Sequence, residues 1–110
     1  MTTHSLDLQD MHAAAGRACE LMKVLANRDR LLICCQLSQQ EMCVGELEAS
    51  LGIMQPTLSQ QLTVLRSAEF VTTRREGKNI FYQLASDPAL AVMNTLFVQF
   101  CTPPHTRSKK

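Results

Sequence analysis

The stretch between residues 44 and 68 constrains the fold most, because it predicts two short helices joined by a tight turn. Val44–Leu51 has apolar residues at helical spacing, and Gly52 fits the left-handed position that ends a helix. A second helix is predicted from about Gln55 to Ala68, with Pro56 at its first position, where proline is well tolerated. Its leucines form a stripe at i, i+4 and i+7: Leu58, Leu62 and Leu65. The segment therefore predicts a helix pair whose second member has one apolar and one polar face.

Further helices and a hairpin surround this pair. Helical spacing predicts three more helices, over Leu6–Ala26, Arg28–Leu37 and Pro88–Cys101. Asp87 is expected to be the N-cap of the last helix, with Pro88 at its first position. β-Branched and aromatic residues predict two strands, Phe70–Arg75 and Asn79–Leu84, joined around Gly77. The order predicts a mainly α fold with a β-hairpin wing, a winged helix-turn-helix, as one domain over residues 1–110 with flexible tails at 1–8 and 103–110.

The polar face of the second helix carries side chains that read DNA bases. Gln bonds adenine bidentately, Ser and Thr bond bases or phosphates, and Arg reads guanine or phosphate. The predicted hairpin adds positive charge where a wing reaches the DNA backbone or the minor groove. The residues predicted to contact double-stranded DNA are Gln55, Thr57, Ser59, Gln60, Gln61, Thr63, Arg66, Arg74, Arg75 and Lys78.

Charge and composition fit this interpretation and exclude other classes. Residues 1–50 carry four basic and seven acidic side chains, whereas residues 51–110 carry seven basic and three acidic ones. No apolar run approaches the roughly 20 residues that span a bilayer, and the N-terminal residues do not resemble a secretion signal, so no membrane association is expected. The chain has five cysteines, an odd number that favours a reducing cytoplasm over a disulfide framework. The sequence contains no paired carboxylates and no nucleophile–base motif of the kind that would predict an enzyme, and no cofactor is expected.

Three segments resemble the ArsR family of metal- and thiol-responsive repressors. They are Ala26–Leu31, Val44–Leu47 and the run from Gln55 to Leu62 that continues to Leu65 and Arg66. The resemblance covers roughly residues 15–101. It implies a homodimer built through the first and last helices, with two recognition helices on an inverted-repeat operator.

Metal sensors of this family use a Cys-x-Cys at the start of the third helix, or His and Asp ligands on the last helix. Here Cys43 is present, but Gly45 stands where its partner cysteine would be. The last helix, Pro88–Cys101, contains no His and no acidic residue. A metal-responsive repressor that uses Cys43 is therefore the alternative rather than the leading hypothesis.

The pair Cys35 and Cys101 resembles the biofilm- and sulfide-responsive branch of the family. The runs Arg30–Cys35 and Val98–Cys101 carry this match. The resemblance implies that a disulfide or an inserted sulfur joins the two cysteines and releases DNA, with a small reactive sulfur species as inducer. Because Cys34 adjoins Cys35, the rotation of the helix decides which of the two faces Cys101.

Overall fold

The computed structural model describes residues 7–101, and these form five helices and a three-stranded antiparallel sheet. The helices are α1 (Leu8–Leu25), α2 (Arg28–Gln39), α3 (Val44–Leu51), α4 (Thr57–Ser67) and α5 (Asp87–Phe100). The strands are β1 (Met42–Cys43), β2 (Val71–Glu76) and β3 (Asn79–Leu84). The α3–turn–α4 pair followed by the β2–β3 hairpin confirms the predicted winged helix-turn-helix. None of the described helices is both long enough and apolar enough to cross a membrane.

Three helices begin at a polar side chain that satisfies an exposed backbone amide. Asp7, Asn27 and Ser86 each accept a hydrogen bond from the N–H three residues further on, at 2.8, 3.0 and 3.1 Å. The prediction that Asp87 is the N-cap of α5 was wrong. Because the Ser86 hydroxyl already caps the helix, Asp87 is the first helical residue and Pro88 the second.

The helix bounds differ slightly from the predicted ones. Asp7 and Leu8, where the predicted first helix and the predicted N-terminal tail overlap, cap and begin α1. The rest of that tail, and the predicted C-terminal tail, lie outside the described residues. Pro56 is the N-cap of α4 rather than its first residue, so Gln55 lies in the turn before the helix.

The turn between α3 and α4 depends on one left-handed residue. Gly52 has a φ of 73° and donates its N–H to the Glu48 carbonyl at 2.9 Å, as a helix-ending glycine does. The next residue, Ile53, is buried and fixes the direction in which the chain leaves α3. The turn thus positions α4 relative to α3 through local chemistry, as predicted.

The sheet has the order β1-β3-β2, and its first strand was not predicted. β1 is only two residues long, too short to show an alternating pattern, and it pairs Met42 with Tyr82 and Cys43 with Phe81. The β2–β3 hairpin turns at Gly77, which has a φ of 63°.

Helix α2 lies at the centre of the fold. It contacts α1, α3, α4, α5 and β3. Its buried residues Ile33, Cys34 and Leu37 pack with the leucine stripe of α4, and Met93 adds the contribution of α5. A displacement of α2 would therefore be felt by each of these elements, including the predicted DNA-reading helix.

Candidate DNA interface and dithiol pair

The outer face of α4 is exposed and mostly polar. Leu58, Leu62 and Leu65 are buried, so the opposite side of the helix points away from the core. Four exposed residues lie there at i, i+3, i+4 and i+7: Gln60, Thr63, Val64 and Ser67. Sequence reasoning missed Val64 and Ser67, although helical spacing from Gln60 would have found both. Val64 suits contact with a thymine methyl group.

Two of the predicted DNA-reading residues are tied to each other at the start of α4. The Gln55 carboxamide oxygen accepts two hydrogen bonds from Ser59, one from the backbone N–H at 3.1 Å and one from the Ser59 hydroxyl at 2.6 Å. The Thr63 hydroxyl donates to the Ser59 carbonyl at 2.9 Å. These bonds stabilise the first turns of α4, so Gln55 satisfies a backbone amide near the start of the helix in addition to any DNA contact.

Gln61 differs from its neighbour Gln60. Its side chain is half-buried, and its carboxamide oxygen accepts a 2.8 Å hydrogen bond from Nη1 of Arg30 on α2. Gln60 is exposed, and no side-chain hydrogen bond forms there within residues 7–101. Thr57 is half-buried and Arg66 is exposed. Of the predicted DNA-reading residues on α4, Gln60 and Arg66 therefore have the polar side chains that are most available for contacts with DNA.

The three positive charges of the hairpin have different surroundings. The Arg74 guanidinium donates to both carboxylate oxygens of Glu41, at 2.7 and 2.8 Å, and to Glu76 at 3.1 Å. It also lies over the Phe81 ring, 4.9 Å from the ring centre. The Arg74 hydrogen bonds hold the pKa of the Glu41 carboxyl below its usual range.

Arg75 and Lys78 are exposed, and neither pairs with a carboxylate in the part of the chain that the structure describes. The wing charges available to DNA phosphates are thus chiefly Arg75 and Lys78, while Arg74 anchors the hairpin to the loop before β1. Sequence analysis could not see this difference, because Glu41 is 33 residues away from Arg74.

Cys35 and Cys101 belong to two elements that contact each other, α2 and the end of α5. Cys35 is half-buried on α2, and Cys101 is the exposed residue that ends α5. Burial raises the pKa of the Cys35 thiol, and the Cys101 thiol raises it further. Helices α2 and α5 also pack against each other. The two cysteines thus lie on elements that contact each other, and their pairing stays a prediction.

Cys34 points the other way. Its side chain is 0% exposed in the core, and burial raises the pKa of its thiol to about 12, with a further contribution from Cys35. Such a thiol is almost entirely protonated at neutral pH and is shielded from reagents. Of the two adjacent cysteines, Cys35 is the one whose pKa the Cys101 thiol affects.

The remaining cysteines lie apart from this pair. Cys43 ends β1, is half-buried, and donates its backbone N–H to Glu46 at 3.0 Å. Cys19 is exposed on α1. Across residues 7–101, no three His, Cys, Asp or Glu side chains converge as a metal site would require. Within one protomer, Cys43 therefore has no set of co-ligands among these residues.

Two helices leave apolar surface uncovered. Every residue of α1 from Leu8 to Glu20 is exposed, including Met11, and this stretch is rich in alanine. On α5, Phe97 is exposed and Phe100 is 74% exposed. Large apolar side chains exposed in this way are typical of interaction surfaces.

Comparison with known proteins gives a consistent result. The profile of bacterial regulatory proteins of the arsR family matches residues 27–73. The biofilm growth-associated repressor of Agrobacterium fabrum is 51% identical over 98 residues, which cover 89% of this chain and 84% of that protein. The transcriptional activator HlyU of Vibrio cholerae is 38% identical over 96 residues, 87% of this chain and 89% of that protein. The crystal structure of the transcriptional repressor BigR from Xylella fastidiosa matches with a TM-score of 0.81 at 44% identity, covering 89% of this chain and 100% of that one.

Proposed function

The chain belongs to the arsR family of bacterial regulatory proteins, and from that premise we propose that it is a homodimeric, DNA-binding transcription repressor under thiol control. In this proposal, reduced protein binds its operator, and the protein releases DNA when Cys35 and Cys101 become bridged. The contact between the central helix α2, which carries Cys35, and α5, which ends at Cys101, is the observation that carries the proposal, and the effect of the Cys101 thiol on the pKa of Cys35 supports it.

The chemistry needs an oxidant that contains sulfane sulfur, such as a polysulfide. The exposed Cys101 thiolate attacks one sulfur of the polysulfide, an S–S bond breaks, and a shorter sulfide anion leaves. The Cys35 thiolate then attacks the sulfur chain on Cys101 and displaces hydrosulfide. Both thiols are oxidised, their protons pass to solvent, and the polysulfide is reduced. If Cys101 carries one added sulfur, attack on the Cys101 sulfur displaces hydrosulfide and leaves a disulfide; if it carries two, attack on the inner added sulfur displaces hydrosulfide and leaves one inserted sulfur in the bridge.

The raised pKa of Cys35 fits its assignment to the second step. A half-buried thiol that is mostly protonated attacks slowly from solution, but a sulfur chain on Cys101 holds the electrophile beside it. We therefore expect Cys101 to react first and Cys35 to close the bridge. The rate of closure should rise with pH, because the fraction of Cys35 thiolate rises.

The proposed DNA contacts follow from the geometry of α4 and the hairpin. We expect Gln60, Arg66 and Thr57 to contact base edges in the major groove, and Arg75 and Lys78 to contact phosphates from the wing. The exposed apolar faces of α1 and α5 support a homodimer, whose two recognition helices would read an inverted repeat. The bridge would join α2 to α5 and so change the spacing of the two recognition helices.

Repression is the proposed direction of regulation. The relative with 51% identity is named a repressor, and a more distant relative with 38% identity is named an activator. Since release of DNA can raise or lower transcription according to where the operator lies, the DNA-binding test below does not depend on this direction.

The decisive experiment measures fluorescence anisotropy with DNA from upstream of the protein's own gene, at one stated salt concentration. Reduced protein, polysulfide-treated protein and protein treated and then reduced with dithiothreitol are compared. Coupling of this kind is typically about 1–3 kcal/mol, so the Kd should rise about 5- to 150-fold on treatment and return after reduction. Mass spectrometry should locate the bridge at Cys35 and Cys101.

Three single variants supply the controls. Cys35→Ser and Cys101→Ser should bind DNA when reduced but keep that affinity after treatment. Cys19→Ser, which removes an exposed cysteine outside the pair, should respond as the wild type does. If Cys35→Ser and Cys101→Ser released DNA as readily as the wild type, the thiol mechanism would be refuted.

A further inference from the structure

A single arginine on α2 joins three helices. Nε of Arg30 donates to the Val24 carbonyl at 2.7 Å, and Nη2 donates to the Lys23 carbonyl at 3.3 Å. Nη1 donates to the carboxamide oxygen of Gln61 on α4 at 2.8 Å. One half-buried guanidinium therefore binds the end of α1 and the recognition helix at the same time.

Each of these contacts suits arginine in particular. The Lys23 and Val24 carbonyls belong to the last turn of α1, where backbone oxygens lack helical partners and a positive charge is favourable. The guanidinium is planar and directs several N–H groups in fixed directions, so it can hold two helices in one relative orientation. A lysine at the same place keeps the charge but cannot reproduce this fork.

Arg30 also lies on the same helix as the reactive thiol. Cys35 follows it by five residues on α2, so a displacement of α2 toward α5 carries the guanidinium with it. The positive charge of Arg30 also acts on Cys34, which lies between the two residues in sequence: it lowers the pKa of that thiol, against the raising effect of burial. The helix that would be pulled by the proposed bridge is thus the helix that holds α4 through Gln61.

We infer that Arg30 is a positioning residue, which acts through Gln61 to set the orientation of α4 and passes the state of the thiol pair to it. Gln61 then serves the protein framework rather than base reading. Successive helical residues are about 100° apart, so Gln61 is turned away from the outer face on which Gln60 lies. The part of this inference that concerns the thiol pair rests on the proposed function, but the positioning of α4 does not.

The first test uses reduced protein and needs no sulfur chemistry. Gln61→Met removes the acceptor, and Gln61→Glu keeps an acceptor for Arg30 while adding a negative charge. Loss of one hydrogen bond to a charged group predicts a rise in Kd of about tenfold for Gln61→Met. Gln61→Glu should stay within about threefold of the wild type, because its charge is paired with Arg30.

Gln60→Glu is the matched control, since it places the same charge one residue away on the outer face. It should weaken DNA binding by more than about tenfold through repulsion from the DNA. If Gln61→Glu weakened binding as much as Gln60→Glu does, Gln61 would face the DNA and the inference would be overturned. This comparison stands even if a variant of Arg30 fails to fold.

The second test asks whether Arg30 acts through Gln61. Arg30→Lys and Gln61→Met are measured singly and together, again with reduced protein. If the two residues form one unit, the double variant binds DNA no more weakly than the weaker single variant. Additive losses would overturn the inference. The salt dependence of binding should not change in Arg30→Lys, because the charge is kept.

The third measurement concerns the thiol pair and separates the two proposals. In wild-type protein, polysulfide should raise the Kd, and in Gln61→Met the ratio of treated to reduced Kd should fall toward one. If the wild type itself does not respond, the thiol mechanism fails while the first two tests still decide the role of Arg30. If the wild type responds and Gln61→Met keeps the full ratio, the relay through Arg30 is overturned.

Discussion

Replacing Cys34 by serine tests the orientation of α2 directly, because it puts a hydroxyl where the structure has a 0% exposed thiol. A buried hydroxyl without a partner costs about 1–3 kcal/mol of unfolding free energy. In a helix the serine hydroxyl can bond back to the carbonyl four residues earlier, here that of Arg30, which lowers the cost. We therefore expect Cys34→Ser to lose about 1–2 kcal/mol, a large share of the 5–15 kcal/mol typical of a small domain.

The measurement is urea unfolding at a fixed protomer concentration, since a dimer's apparent stability depends on concentration. Cys34→Ala separates the effect of burying a polar group from the loss of the sulfur, whose removal alone costs about 0.5–1.5 kcal/mol. Cys35→Ser is the matched neighbour. Because Cys35 is half-buried, its replacement should cost less than about 1 kcal/mol.

The functional readout of the same variants completes the test. Cys34→Ser should keep the polysulfide response of DNA binding, and Cys35→Ser should lose it. The reasoning would be refuted if Cys34→Ser unfolded like the wild type and lost the response while Cys35→Ser kept it. That result would mean that α2 is rotated so that Cys34, and not Cys35, faces Cys101.

Three further predictions concern alkaline stability, the wing and the turn. Burial raises the pKa of Cys34 from 9.0 to about 12, so the unfolded chain loses this proton at a lower pH than the folded protein does. The free energy of unfolding should therefore fall as pH rises from about 9 to 12, with a slope of up to about 1.4 kcal/mol per pH unit. In urea titrations, Cys34→Ala should flatten that decline. Arg75→Ala and Lys78→Ala should each reduce the slope of log Kd against log salt by about 0.9, measured by anisotropy; an unchanged slope would place that charge away from the phosphates. Gly52 has a φ of 73°, so Gly52→Ala should lower the free energy of unfolding by about 1–2 kcal/mol in a denaturation experiment. Gly45→Ala, in helix α3 with open space around it, should leave the free energy of unfolding unchanged or raise it. Equal effects of the two substitutions would contradict the turn geometry.

Much of the fold could be predicted because its signals are local. Gly52 ends α3 through its own backbone conformation, and the leucine stripe of α4 follows from helical spacing. Asn27 caps α2 with an oxygen that reaches only three residues along the chain. Where two local signals competed, as with Ser86 and Asp87 at the start of α5, the sequence did not decide between them.

The candidate site was less predictable, because the roles of its residues depend on contacts with side chains that are distant in sequence. Arg74 and Arg75 look equivalent in the sequence, yet only Arg74 meets Glu41. Likewise Gln60 and Gln61 are adjacent and identical, but the rotation of α4 turns one outward and brings the other against Arg30. A list of polar residues on a helix therefore overstates the number that are available to DNA.

By itself the sequence determined the order of the five helices and the hairpin, the turn and wing of the DNA-binding unit, and the presence of cysteines in α2 and at the end of α5. Only the tertiary structure decided that Cys34 enters the core while Cys35 stays half-buried on the helix that contacts α5, and that Arg30 donates a hydrogen bond to Gln61 of α4. The physical reason is that caps and periodicity act within a few residues of the chain. The direction in which a central helix turns each side chain is instead set by all the elements packed around it, and that packing is complete only in the folded molecule.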